Sequence, residues 1–470
     1  MRNSKKVLIM AVAVMSAVVS CRKVEPPESV STQSSVYESS VDIIETEPPE
    51  EDFDISGETI TWLADYDLNP SSGGERSVAL SIFEDVYGGK INFVYTTAEN
   101  KFNKLSEMLA SGEEVDMFPY DSDIFPIGVI NEQFQPLDPY FDIMGMNEGL
   151  WDDISSAVDA FEYNGEHYVM PYNVSNPVVV TYSRKLMKQE KLADPYELYK
   201  KGEWNWDKMM QMMQKFVENS DGSVRRYGIN GSFGTALLQS TGKGIISFEN
   251  GRFENNIKSP EIKKAGAFMQ KMTENNLVYA PYLSHFAKDN STLFFVMGSW
   301  ALGESNALNP DSDLMVVPFP VSPDADKNYI SCSFDARMFV KNSTKGEAVA
   351  TYIKCERIAS TQEEYKSTQK ENALAVRKSA GKTISFVTEE QYDALQSFLD
   401  MTSSAPMFDF AYGMGEKMNS EGDYTYQTRG VMNNLTEAIP NYVVSSWSAL
   451  CDDWAGVVDD VVNEVNNRID

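Results

Sequence analysis

The sequence predicts an α/β fold, and three of its features carry that expectation. Short β-branched and aromatic runs alternate with apolar stripes at helical spacing from position 59 to 118. The pair Asn164-Gly165 suits a primed turn between antiparallel strands, and the apolar run Val178-Val179-Val180-Thr181-Tyr182 follows it as a buried strand. A length of 470 residues, 42% of them hydrophobic, allows two or three domains with substantial cores.

The chain opens on a segment expected to be removed. Arg2, Lys5 and Lys6 precede the apolar run 7–19, which is too short to span a bilayer as a finished helix, and Ser20-Cys21 closes it. Val18-Val19-Ser20-Cys21 resembles a bacterial lipobox, whose cysteine becomes the lipidated first residue of the mature protein. Residues 1–20 are therefore expected to be a lipoprotein signal peptide and Cys21 the lipidation site. Residues 21–56 are rich in Glu, Pro, Ser and Thr, with few large apolar residues besides Ile43 and Ile44, and are expected to form a flexible acidic linker. The folded part is expected to begin near Gly57.

From there the run 59–63 reads as a strand, and 69–74 as a turn. Val78, Ala79, Ile82, Phe83 and Val86 recur at helical spacing until Gly88-Gly89, and 91–95 is the next strand. Phe102, Leu105, Met108 and Leu109 repeat the helix, Gly112 ends it, and 115–118 is a third strand. This alternation implies a parallel sheet covered by helices, with ligands at the carboxyl ends of its strands, in the loops that start at Ala64 and Pro119. Further on, 163–168 reads as a hairpin and 178–182 as a strand. Helices are expected over 206–216 and 261–275. Trp454, Val457, Val458, Val461, Val462 and Val465 mark a last amphipathic helix.

Composition excludes several functions. A formal charge of −30 would repel nucleic acid. With Cys21 lipidated, Cys332, Cys355 and Cys451 remain, an odd number without CxxC spacing, so buried free thiols are expected in place of a disulfide framework. Two histidines make a His-rich zinc site implausible, and Met209, Met210, Met212 and Met213 read as helix core; neither metal nor cofactor is expected. Gly242-Lys243-Gly244 lacks phosphate-loop spacing.

Several motifs in order resemble the family 1 extracellular solute-binding proteins of ABC importers, the maltose-binding-protein-like group. They are Tyr163-Asn164-Gly165 leading through Pro171-Tyr172 to Tyr182-Ser183-Arg184-Lys185, the helix start Asn205-Trp206-Asp207-Lys208, Phe295-Val296-Met297-Gly298-Ser299-Trp300, and Leu314-Met315-Val316-Val317-Pro318-Phe319-Pro320. The resemblance implies a type II periplasmic-binding-protein-like fold, with two α/β lobes, a hinge and an interlobe ligand cleft. Lobe 1 would hold 57–174 and 316–362, and lobe 2 would hold 175–315 and 363–470. It implies a monomer outside the cell membrane, tethered by lipid alone, that captures a mono- or oligosaccharide and passes it to the permease subunits of an ABC importer.

A sugar presents hydroxyls around its edge and C–H patches on its faces, so its site needs aromatic plates beside Asp, Glu, Asn and Arg. Trp62, Tyr120, Tyr172, Trp204, Trp300 and Trp447 lie at or near expected strand ends and loops. Asp65, Asp67, Asp121, Asp123, Asp335 and Arg337 supply hydrogen-bonding groups. Each has a plainer reading, as core ring or solvated charge, and Arg337 could pair with Asp335. The alternative from another class is a secreted glycoside hydrolase working through two carboxylates, since such an acidic, aromatic-rich chain has many.

Overall fold

The computed structural model describes residues 54–68, 76–374, 376–379, 382–385, 387–411, 430–441 and 446–469. The expected signal peptide, Cys21, nearly all of the expected linker and the 69–74 turn lie outside these residues. Ile55 is already buried in the body, two residues before the expected Gly57.

Among the described residues there are fifteen strands; Val376–Ser379 and Lys382–Ser385 pair as a separate hairpin, and the other thirteen frame the fold. In chain order they are β1 (Thr59–Ala64), β2 (Lys90–Tyr95), β3 (Met117–Pro119), β4 (Glu162–Tyr163), β5 (Glu166–His167), β6 (Val169–Ser175), β7 (Val178–Ser183), β8 (Tyr227–Gly231), β9 (Ile246–Glu249), β10 (Arg252–Asn255), β11 (Thr292–Gly298), β12 (Leu314–Pro318) and β13 (Ser333–Phe339). The first sheet has the order β2-β1-β3-β13-β6, and the second β12-β7-β11-β8. Each sheet anchors one lobe.

The expected parallel unit is present, with β1 pairing β2 and β3 in parallel. Between them the 78–86 stripe forms the helix Val78–Ser81, capped by the Ser77 hydroxyl, and runs on into one π turn at Ile82–Val86. The second stripe is the helix Lys101–Ser111. The third strand sits two residues later than expected, because the Asp116 N–H already turns to the Thr61 carbonyl and its carboxylate accepts the Thr61 N–H at 2.6 Å. The Asn-Gly hairpin forms as β4 and β5, with Asn164 at φ 54° and Gly165 at φ 81°, as a type I′ turn requires.

Pro171-Tyr172, read from sequence as a crossover, lies inside β6. Proline is tolerated there because β6 is an edge strand and its register shifts beside Ala336, so no ladder N–H is missed. The passage between sheets comes four residues later, at Asn176-Pro177, where β6 leaves the first sheet and β7 enters the second. The return passage, from β12 to β13, runs beside it: the Val178 N–H donates to the Ser331 carbonyl at 2.7 Å, and Ser333 pairs Ser175.

The helix Trp206–Glu218 starts where Asn205 accepts the Lys208 N–H at 3.0 Å, and buries the four methionines as expected. The helix Pro260–Glu274 also matches. The last helix is longer than its stripe, spanning Trp447–Ile469. Val457 points to solvent, because the buried positions 451, 455, 458, 461, 462 and 465 follow the three-and-four spacing and 457 falls outside it. Cys332, Cys355 and Cys451 are free thiols, the last two buried. The helix Glu389–Ser404, which the expected division gives wholly to lobe 2, packs on β12 of the second sheet and also on β6 and the 152–159 turns of the first.

Candidate functional site

In an open α/β sheet the strands' carboxyl ends expose backbone and loop side chains to a crevice. Here β1 ends at Ala64 and releases Asp65-Tyr66, and β3 ends at Pro119 and releases Tyr120-Asp121. β13 runs antiparallel to β3, so its first residues, including Asp335 and Arg337, reach the same edge. β6 brings Tyr172, Asn173 and Ser175 alongside.

Arg337 organises this edge. Its guanidinium lies over the Trp62 ring at 4.8 Å from the centroid and near the Tyr172 ring at 5.1 Å. It donates to the Tyr66 hydroxyl at 3.1 Å, the Tyr172 hydroxyl at 3.2 Å and Glu356 Oε1 at 2.5 Å. Glu356 comes from the helix Gly346–Thr361, and both members of the pair are buried. Arg337 thus has Glu356 as its ion-pair partner, and not Asp335, the partner that the plainer reading of the sequence offered. Alternation along β13 would put both on one face, but the strand is irregular between Asp335 and Ala336, and Asp335 takes its hydrogen bonds from Ser175 Oγ at 2.9 Å and Asn173 Nδ2 at 3.1 Å.

Burial dominates the electrostatics. It pushes the Glu356 carboxyl up to about 7 even though Arg337 pulls it down. Burial also raises Asp335, against the hydrogen bonds from Ser175 and Asn173 and the charge of Arg337. For Arg337 burial works toward neutrality, and Glu356 with the two phenols outweighs it, so the guanidinium stays charged. Tyr66 and Tyr172 are raised by burial, so both are neutral phenols that can accept from Arg337. Tyr66 is 40% exposed as a residue, while its hydroxyl is enclosed against Arg337.

On the second sheet Trp300 follows the end of β11 and is 48% exposed. Its indole lies across Gly298, where a Cβ would come within 2.6 Å of Nε1, so only glycine leaves room for the ring there. The next residue, Ser299, donates its N–H to the Pro177 carbonyl at 3.0 Å, which fixes Trp300 beside the interlobe passage. Tyr282 is 74% exposed on a loop held by Asn230, whose Nδ2 donates to the carbonyls of Tyr279 and Pro281 at 2.6 and 2.9 Å.

The structure sorts the residues expected from sequence. Trp62, Tyr172, Asp335 and Arg337 come together on the first sheet, with Trp62 fully buried as the floor under Arg337 and not as an open plate. Asp65 is exposed at the same edge. Trp204 and Trp447 are core residues, a correction to their expected place at a cleft wall: Trp204 sends its Nε1–H to the Pro318 carbonyl at 2.9 Å, and Trp447 lies where Gly266 lets the helix Pro260–Glu274 approach. Asp121 is held by Lys101 at 2.6 Å and accepts the Asp123 N–H at 3.0 Å, so its carboxylate is engaged within its own lobe, and Asp123 is half-buried beside it. Tyr120 is half-buried, packed on Phe161 at 4.9 Å. Sequence reasoning missed Tyr66, Glu356 and Tyr282. Tyr66 stands in the loop already marked at Ala64, so its signal was available. Glu356 has none, being one more charged residue in a helical run.

Residues 79–394 match the family described as bacterial extracellular solute-binding protein. The chain belongs to that family. Membership places this solute-binding protein among binding proteins and sets aside the glycoside hydrolase alternative. Solved structures agree on the fold. A cyclo/maltodextrin-binding protein complexed with maltotetraose is similar at TM-score 0.58 and 15% identity, over 86% of this chain and 96% of that one. The galacto-N-biose-/lacto-N-biose I-binding protein of an ABC transporter from Bifidobacterium longum, with lacto-N-biose, matches at TM-score 0.56 and 13% identity, over 86% and 97%. UgpB from Mycobacterium tuberculosis, in complex with glycerophosphocholine, matches at 0.58 and 14%, over 86% and 99%. The fold is thus the type II periplasmic-binding-protein arrangement. No curated protein sequence matches the chain. Among the described residues no helix is long and apolar enough to cross a membrane.

Proposed function

We propose that this solute-binding protein captures a mono- or oligosaccharide between its lobes and delivers it to the permease subunits of an ABC importer, acting as a monomer tethered through lipid on Cys21. The observation that carries the reading is the pairing of surfaces. Tyr66, Tyr172, Asp335 and Arg337 give one lobe a ring face over a charged, hydrogen-bonding base, and Trp300, beside the interlobe passage, gives the other lobe an exposed plate. A sugar's C–H faces suit the rings and its hydroxyls suit the polar base. Two of the similar structures hold oligosaccharides, which supports the same class. Contact with both lobes at once would favour the closed arrangement, since only that arrangement offers all of these groups together.

A thermal-shift screen over mono- and oligosaccharides tests this. A true ligand at 100 times its dissociation constant stabilises the fold by about 2.7 kcal/mol. Glycerophosphodiesters belong in the same screen, because one similar structure holds glycerophosphocholine. If those raise the melting temperature and no sugar does, the carbohydrate reading is wrong. For the anchor, Cys21→Ser is expected to move the protein from the membrane fraction to the soluble one. Retention as firm as wild type's would rule out lipid attachment at Cys21.

A further inference from the structure

The two lobes meet in a cluster of aromatic rings that the ligand reading does not use. Its centre is the segment 405–411, which follows the helix Glu389–Ser404. Asp409 in this segment is 2% exposed. Its carboxylate accepts the N–H groups of Ile245 and Ile246 at 2.7 and 3.1 Å and of Ala411 at 3.0 Å, and the Phe410 N–H donates to the Ile246 carbonyl at 3.1 Å. These bonds fasten the segment to the start of β9, on the side of the molecule closed by the helices Pro260–Glu274 and Trp447–Ile469.

The neighbouring side chain goes the other way. Phe408 lies 4.7 Å from Phe161, 6.1 Å from Phe334, 6.4 Å from Phe125 and 6.5 Å from Tyr120, ring centre to ring centre. All four rings belong to the first lobe: Tyr120 and Phe125 follow β3, Phe161 precedes β4 and Phe334 lies in β13. Phe410 stands 4.6 Å from Phe408 at a right angle and continues the cluster to Phe253 at 5.2 Å and Phe248 at 6.2 Å, on β10 and β9. Tyr163 of the first-lobe hairpin faces the same two rings at 6.2 and 6.3 Å.

We infer that the segment 405–411 is a built-in latch, fastened to one lobe by Asp409 and plugged into the other by Phe408, which holds the lobes together at this end whether or not solute is bound. Edge-to-face rings favour each other beyond their buried area, and separating the lobes here would expose all of them. The consequence is a restricted hinge. Opening would be confined to the end of the cleft away from the cluster, and Tyr120 would be the seat of the latch and not a plate for sugar. This inference stands independently of which solute is bound.

The test uses purified full-length protein freed of solute by extensive dialysis. Small-angle scattering on wild type, Phe408→Ser, Phe408→Leu and Asp409→Ala compares the radii of gyration of the free forms. The expected order is wild type most compact, Phe408→Leu intermediate, and Phe408→Ser and Asp409→Ala most expanded. Hydrogen exchange at the Ile245 and Ile246 amides should accelerate about tenfold or more in Asp409→Ala, since these N–H groups lose their carboxylate. Phe408→Leu keeps an apolar side chain in the socket and carries the scattering test if the other variants fold poorly. Equal radii for wild type and every folded variant overturn the latch.

Discussion

Trp300→Ala is expected to remove about 2–4 kcal/mol of binding energy, by analogy with aromatic hot spots, which is a roughly 30- to 1,000-fold weaker dissociation constant. Folding stability should change by less than about 1 kcal/mol, because an exposed ring away from core packing contributes little to the fold. The motive is geometric: the indole is 48% exposed, laid over Gly298 and fixed beside the passage between the lobes. Calorimetric titration with a sugar found in the thermal-shift screen, and urea melts of the same variant, read the two effects separately. Unchanged affinity would remove Trp300 from the site. A stability loss of about 3–5 kcal/mol would make it a core residue instead.

Glu356→Ala is expected to destabilise the fold by about 3–5 kcal/mol, because it leaves the Arg337 guanidinium buried without its carboxylate. Glu356→Gln behaves differently with pH. In the fold the Glu356 carboxyl is pushed up to about 7 from 4.5, so the fold holds its proton more tightly than the unfolded chain does. Its contribution is therefore complete below pH 4.5 and is lost as pH rises through about 7, a change on the order of 3 kcal/mol. Glutamine is neutral throughout and should lose no stability from this position. Asp335 is raised too, and Asp409 to about 6, so wild type and variant will both decline with pH and the difference between them isolates Glu356. Urea melts from pH 4.5 to 8 check this. Parallel curves for the two proteins would mean that Glu356 titrates as an ordinary carboxylate.

Much of the candidate site was legible because it follows from strand ends. Once 59–63 and 115–118 read as parallel strands, the loops after Ala64 and Pro119 had to face a crevice; Asp65 and the overlooked Tyr66 of the first loop stand at the candidate site, whereas Tyr120 and Asp121 of the second pack on Phe161 and Lys101. Trp300 was legible on another ground, the resemblance of the run 295–300 to the family's glycine-x-tryptophan stretch. Trp204 and Trp447 misled because an aromatic residue near a loop has the same local pattern whether its ring turns out to solvent or back beneath a neighbouring helix. Their difference lies in Pro318 and Gly266, which are 114 and 181 positions away.

The sequence by itself determined many of the local elements: the strands between 59 and 118 and at 178–182, where Asn205 starts a helix, where Asn164-Gly165 turns the chain, and that the four methionines 209, 210, 212 and 213 face a core. Each depends on side-chain periodicity and on dihedral preferences within a few residues, which neighbours in the chain set directly. The tertiary structure alone decided that Arg337 pairs with Glu356 and not with Asp335, that the helix Glu389–Ser404 touches both sheets, and that Phe408 fills a socket lined by Tyr120. A buried charge or ring takes the partner that folding brings within reach, and that partner is fixed by sheet order and helix packing over hundreds of residues, where no local pattern in the chain records it.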